Sequence, residues 1–214
     1  MRAVGSVNAT LLDLIRAEPI GSFCLLDVGC GSGALTFALA PGSKHIIGID
    51  ILADRIEEAR GYAAANNVTN VSFTVGDAYI TDYQRLGSID MVVSHLCMSD
   101  EIVHRSYEAL DKGHPFAFAC FHSENLKEVG RRSRFSYSES RMRRLLLDVG
   151  FKIEYLEVET EKVEFGSKRE ALDYFDDSTK ARLRGDGRWR AFLSYLAEGG
   201  RSVTRSRLVV KARR

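Results

Sequence analysis

The chain has 214 residues, is 45% hydrophobic, and carries 30 Lys and Arg against 29 Asp and Glu, for a net charge of +1. That length and apolar fraction suit a single α/β domain with one core, and so neutral a balance excludes an overall electrostatic commitment to nucleic acid or to an anionic membrane surface. No run approaches the roughly 18 apolar residues of a membrane span, and the start, MRAVGSVNATLL, lacks the apolar core of a signal peptide, so the expectation is a cytoplasmic protein with no membrane role.

In chain order, short apolar or alternating runs bounded by turns predict strands at 23–28 (FCLLDV), 45–49 (HIIGI), 71–75 (VSFTV), 89–93 (IDMVV), 115–120 (PFAFAC) and 151–158 (FKIEYLEV). Between them, apolar residues at three and four spacing among good helix formers predict helices at 34–40, 52–66, 101–110 and 139–149. Ser136 and Glu139 have the spacing of a capping box for the last of these, and Gly150 sits where a left-handed terminating residue belongs. The alternation is βαβαβ, hence a parallel sheet covered by helices. The rhythm then breaks. Residues 203–212 (VTRSRLVVKA) predict a final strand, while 159–201 contains two helices, near 168–175, capped by Ser167 and Glu170, and near 188–197. The insertion at 159–202 leaves from the strand edge where ligands bind in open α/β folds, which makes it a candidate wall of a substrate pocket.

The chemistry is concentrated in LLDVGCGSGALT, residues 25–36. Gly29, Gly31 and Ala34 satisfy the loose dinucleotide pattern G-x-G-x-x-G/A. Asp27 argues against a pyrophosphate there, because an ionised carboxylate in a partly desolvated site repels a second anion. A cationic ligand such as S-adenosylmethionine, with its ammonium and sulfonium, suits the place better, and glycines at 29, 31 and 33 let the main chain approach it with no Cβ in the way. The four cysteines, Cys24, Cys30, Cys97 and Cys120, form no CxxC pair, which points to reduced thiols rather than a disulfide frame or a metal site.

These residues resemble the class I S-adenosylmethionine-dependent methyltransferases over roughly 11–158. LLDVGCGSG is similar to that superfamily's first motif, with Asp27, Gly29, Gly31 and Gly33 at its marked positions; Asp50 closes the second strand in IIGID, beside Ile51; VGDA places Asp77 and Ala78 after the third strand; IDMVVSHL puts Ser94 and His95 at the exit of the fourth. The resemblance implies a Rossmann-like, doubly wound α/β sheet of seven strands, parallel except the last, with helices on both faces, forming one domain over 1–214. It implies S-adenosylmethionine as cofactor: Asp27 at the ammonium, Asp50 on the ribose hydroxyls with Ile51 beside them, Asp77 and Ala78 on the adenine edge, and Ser94 under the methionine. For each acid a structural reading stands beside this one, as a turn cap (Asp27), a helix N-cap (Asp50) or an Asx-turn (Asp77).

Methyl transfer needs a general base only for an acceptor that would otherwise stay protonated, and His95 and His122 are the candidates, with Tyr79 and Tyr137 as hydrogen-bonding alternatives. Cys97 is read as packing, since the prolyl-cysteine pair of pyrimidine-carbon methyltransferases is absent; SHLC also replaces the NPPY-type tetrad of base-amine enzymes. In KEVGRRSRFSYSESRMRR, residues 127–144, Arg131, Arg132 and Arg134 with Tyr137 suggest a pocket for an anionic small-molecule acceptor. The layout resembles the type 11, small-molecule branch. The alternatives are an RNA or protein methyltransferase using the basic segment, and a module that binds S-adenosylmethionine without turnover. Oligomeric state is not legible.

Overall fold

The computed structural model describes residues 7–130 and 132–214. Eight strands form one sheet: β1 (Cys24–Val28), β2 (His45–Asp50), β3 (Val71–Val75), β4 (Met91–His95), β5 (Pro115–His122), β6 (Ser136–Tyr137), β7 (Lys152–Glu164) and β8 (Ser202–Arg213). The order is β3-β2-β1-β4-β5-β8-β7, with β6 paired beside β5 off this path. The pairs β1–β2, β1–β4, β2–β3, β4–β5 and β5–β6 are parallel. Gly113 N donates to Arg214 O and Arg214 N to His114 O, which sets the end of β8 against the start of β5. Phe165 N donates to Arg201 O, which sets the start of β8 against the end of β7. The last strand therefore runs antiparallel to both neighbours, and β7 runs parallel to β5. The doubly wound sheet expected from the sequence is present, with β6 as an addition.

The helices are α1 (Ala9–Arg16), α2 (Ala34–Leu39), α3 (Ala53–Ala65), α4 (Asp100–Ala109), α5 (Glu139–Val149), α6 (Lys168–Asp173), α7 (Asp177–Gly185) and α8 (Arg188–Ala197). Their starts follow local chemistry. The Ser99 hydroxyl accepts from Ile102 N and two acids fill the first turn of α4, satisfying donors that have no intrahelical partner. The Ser167 hydroxyl accepts from Glu170 N while Glu170 Oε2 accepts from Gly166 N, so the cap expected for α6 forms. The box expected at Ser136 does not: α5 begins at Glu139, and the Ser136 hydroxyl donates to Ser133 O at 2.6 Å.

Two compact units divide the chain. The first comprises residues up to Cys120, 139–157 and 209–214, the second 121–138 and 158–208. The first unit packs Leu11, Ile15, Leu25, Leu35, Ile46 and Met91 into its main core, and Ile56, Ala59 and Phe73 into a second, smaller cluster. β1 is buried from Leu25 to Val28, as a central parallel strand covered on both faces must be. The second unit has its own core, in which Phe175 packs edge-on to Phe192 at 5.2 Å and to Trp189 at 6.1 Å, above Leu183, Leu196 and Val203.

Candidate functional site

In the first unit, parallel pairing brings the ends of β1, β2, β3 and β4 to one edge: Asp27 pairs with Gly48 and with Val93, and Asp50 with Val75. Ligands collect at this edge in such sheets. The turn after β1 holds Gly29, Gly31 and Gly33 at φ of 70°, 53° and 90°, conformations that favour glycine. A Cβ at Gly29 would overlap the Cys97 side chain and one at Gly33 the Phe37 ring, whereas one at Gly31 would meet nothing within 4 Å. The first and third glycines are thus also demanded by packing. Gly31 faces open space.

Asp27 is 1% exposed. Its Oδ2 accepts from Thr36 Oγ1 at 2.6 Å, and its Oδ1 is buried with no partner. Burial, opposed by the Thr36 bonds and reinforced by the charge of Asp50, pushes this carboxyl up to about 7. Asp50 is engaged differently: Oδ2 accepts from Gly31 N and Oδ1 from Leu52 N, both at 2.9 Å. It ties the glycine turn to the end of β2, while each oxygen keeps lone-pair capacity. Ile51 is 61% exposed beside it. Asp77 Oδ1 accepts from Tyr79 N at 2.8 Å, forming the Asx-turn, and Ala78 O accepts from the buried Tyr83 hydroxyl at 2.8 Å. Tyr79 contributes its carbonyl to Arg105 Nε.

A cavity of about 250 Å³ opens beside the turn, lined by Asp27, Gly29, Gly31, Ser32, Arg55 and His95 among others. That is below the ~300–1,000 Å³ of pockets that bury a whole drug-sized ligand and suits one end of a ligand. His95 is therefore brought together with the glycine turn. Its Nε2 accepts the Asn8 N–H at 3.3 Å, which makes Nε2 the unprotonated nitrogen. Ser94 is fully buried, and its hydroxyl lies within hydrogen-bonding reach of Val28 O and Cys97 O at the turn after β4. The backbone there is held at a left-handed Leu96, φ 63°. Burial and the charges of Asp50 and Asp27 push the Cys97 thiol up to about 11, so it carries negligible thiolate at neutral pH.

The remaining candidates belong to the second unit. His122 Nδ1 lies 2.9 Å from Ser206 Oγ, and its Nε2 is 3.4 Å from Ser123 Oγ. Tyr137 is 3% exposed on β6. Arg132 pairs with Glu124 at 3.2 Å on the surface, Arg134 lies 4.6 Å over the Phe135 ring, and Arg131 lies outside the described residues. Sequence reasoning missed Arg207 and Arg182, whose guanidinium carbons lie 4.6 and 5.9 Å from the Phe121 ring centroid. It also missed Asn8 and Arg55, which belong to no motif, and Thr36, which ends the quoted stretch at 25–36 but holds none of its marked positions. Only Asn8 left a signal, as a capping residue three before Leu11, whose N–H its side chain accepts.

A family profile described as "Methyltransferase domain" matches residues 23–164. Among solved structures, the YcgJ protein of Bacillus subtilis superposes with a TM-score of 0.73 at 15% identity, covering 97% of this chain and 99% of that one. A putative methyltransferase of Bacillus halodurans superposes at 0.70 with 21% identity, covering 96% and 99%. Among curated proteins, a tRNA (uracil-5-)-methyltransferase homolog B of Danio rerio is 36% identical over 73 residues, which is 34% of this chain and 15% of that protein. The chain spans no more than 15% of the length of the curated relatives it matches.

Proposed function

The chain belongs to the methyltransferase-domain family, as a class I S-adenosylmethionine-dependent enzyme, and from that premise we propose that it methylates a small anionic acceptor by direct in-line transfer. Bound S-adenosylmethionine supplies a methyl group already activated by its sulfonium, so alignment can provide most of the catalysis. The residues present fit this cofactor. The observation that carries the fit is Asp27 Oδ1, a buried carboxylate oxygen without a partner on the wall of the cavity. Such an atom calls for a cationic donor, and it would take the ammonium. Gly31 leaves the space for the methionyl part. The spare lone pairs of Asp50 would take the ribose hydroxyls, with Ile51 against the base and Asp77 and the Ala78 N–H on the adenine edge.

His95 would act as the base where the acceptor must lose a proton. To take it at Nε2 the ring must give up the Asn8 N–H. The acceptor's charge is read from the second unit. Arg182 and Arg207 both lie by one ring, Phe121, and a guanidinium can hold a carboxylate or phosphate in a forked geometry. The exposed pairing of Arg132 with Glu124 is worth about 1 kcal/mol or less and is readily exchanged for a substrate carboxylate or phosphate. The partial match to RNA methyltransferases supports a second reading, an RNA acceptor. Carbon methylation of uracil calls for a thiolate nucleophile, however, and Cys97 does not offer one.

Steady-state kinetics separate these readings. For a small anion, Ala at Arg132, Arg134 or Arg207 raises KM by about tenfold or more at one or two of these positions, with kcat retained. His95→Ala lowers kcat by about 100-fold and leaves cofactor affinity unchanged. An RNA acceptor predicts similar modest losses of RNA affinity at every arginine and a salt slope that falls by about one per lost contact. That pattern would overturn the small-anion reading.

A further inference from the structure

A glycine turn opening onto a helix ordinarily offers its backbone N–H groups to an anion. Here four of them are consumed. Gly29 N and Cys30 N both donate to Ile49 O at 2.9 and 3.0 Å, Gly33 N donates to Cys30 O at 2.9 Å, and Gly31 N donates to Asp50 Oδ2 at 2.9 Å. The cofactor's amino-acid end carries a carboxylate as well as an ammonium. A carboxylate entering this cavity finds these four donors already engaged.

Arg55 is the one guanidinium among the described residues lining the cavity. It projects from the first turn of α3 and donates from Nη1 to Glu58 Oε2 at 3.1 Å, an i,i+3 pair with the two side chains 38% and 57% exposed. A pair so solvated holds its partners weakly, and one bond leaves most of the guanidinium's five donors uncommitted. The same cavity therefore presents a partnerless buried carboxylate oxygen, on Asp27, and a recruitable guanidinium, on Arg55.

We infer that Asp27 and Arg55 form a clamp for an α-amino acid zwitterion, with Arg55 binding the carboxylate of the cofactor's methionyl end in a forked geometry. This rests on the assignment of Asp27 to the ammonium. Arg55 is then what lets the pocket distinguish ligands that carry the amino-acid end from adenosine compounds that lack it.

Calorimetry with two ligands tests the clamp: S-adenosylhomocysteine, which has the amino-acid end, and 5′-methylthioadenosine, which does not. Arg55→Ala should weaken S-adenosylhomocysteine by about 10- to 100-fold, the loss expected for a charge-assisted forked pair, and leave 5′-methylthioadenosine within about twofold. Arg55→Lys, which keeps the charge and loses the fork, should recover part of the loss. Equal losses for both ligands, or an unchanged affinity for S-adenosylhomocysteine, would overturn the role of Arg55 while leaving the cofactor assignment standing. A wild-type protein that binds 5′-methylthioadenosine as tightly as S-adenosylhomocysteine would overturn the clamp as a whole. One that binds neither would overturn the cofactor assignment and the clamp with it.

Discussion

On the proposed assignment of Asp27 to the ammonium, its protonation is coupled to cofactor binding. In the free protein its carboxyl is pushed up to about 7 by burial, so it is largely protonated in mild acid, whereas an ammonium ligand requires it charged. Affinity for S-adenosylhomocysteine should therefore fall by about tenfold for each pH unit below 7, and Asp27→Asn should bind weakly with little pH dependence. The sign for stability is the reverse. A carboxyl raised above its unfolded value contributes stability that is present at low pH and lost as pH rises through about 7. Unliganded Asp27→Asn should accordingly melt above the wild type at pH 8, by about 2 kcal/mol. Calorimetry and thermal melts across this range check both arms; a pH-independent wild-type affinity would remove Asp27 from the ammonium. At this scale the motif residues were legible because glycine geometry and acid placement leave a sequence signature. Arg55 and Thr36 were not, since nothing in their spacing from Asp27 announces contact across a turn. The contacts of the Ser94 hydroxyl with Val28 O and Cys97 O were not legible either, since they span the turn after β4 and a neighbouring strand.

Among the elements, β8 carries the most concentrated electrostatics of the first unit. Lys211 pairs with Glu18 and with Glu154, the latter at 3.6 Å, and Arg213 reaches Glu18 and Glu154 at 2.6 Å each. Lys211 and Glu18 are nearly buried, with side chains 11% and 10% exposed. Burial acts against the Glu18 carboxylate, but Arg213 and Lys211 hold it below its ordinary value; the hydrogen bond from Arg213 does the same for Glu154. Glu18→Ala, which strips Lys211 of a buried partner, should cost about 3 kcal/mol in denaturant unfolding. In the wild type this contribution is present above the ordinary carboxylate range and is lost as pH falls through it. A cost under about 0.5 kcal/mol would place the network with ordinary surface pairs. None of this was legible, because the partners are brought together only by the pairing of distant strands. The alternation of strands and helices was legible, and with it the parallel sheet. α7 was not: among its described residues Leu183 is the one fully buried, so it shows no apolar stripe. α1 left a usable pattern, Leu11 and Ile15 at i,i+4 behind the Asn8 cap, and β7 outran its expected end because Phe165 N beyond it still pairs with Arg201 O.

For the whole molecule, a net charge of +1 makes strong non-specific attraction to a polyanion unexpected. Three arginines of the second unit, Arg134, Arg182 and Arg207, lie by the rings of Phe135 and Phe121. The charge balance separates a methyltransferase for small anions from one for RNA more sharply than the fold does, since one fold serves both. The acceptor was not legible in the sequence, and Arg182 and Arg207, which lie by the Phe121 ring, stand outside the basic run that drew attention. The most direct measurement is transfer of labelled methyl from S-adenosylmethionine into an extract separated into RNA, protein and small-molecule fractions. The label should enter small anionic compounds, and treating the extract with ribonuclease should leave incorporation unchanged. Label confined to a ribonuclease-sensitive fraction would contradict the proposed acceptor class, and incorporation no higher than with Asp27→Asn in every fraction would contradict catalysis itself.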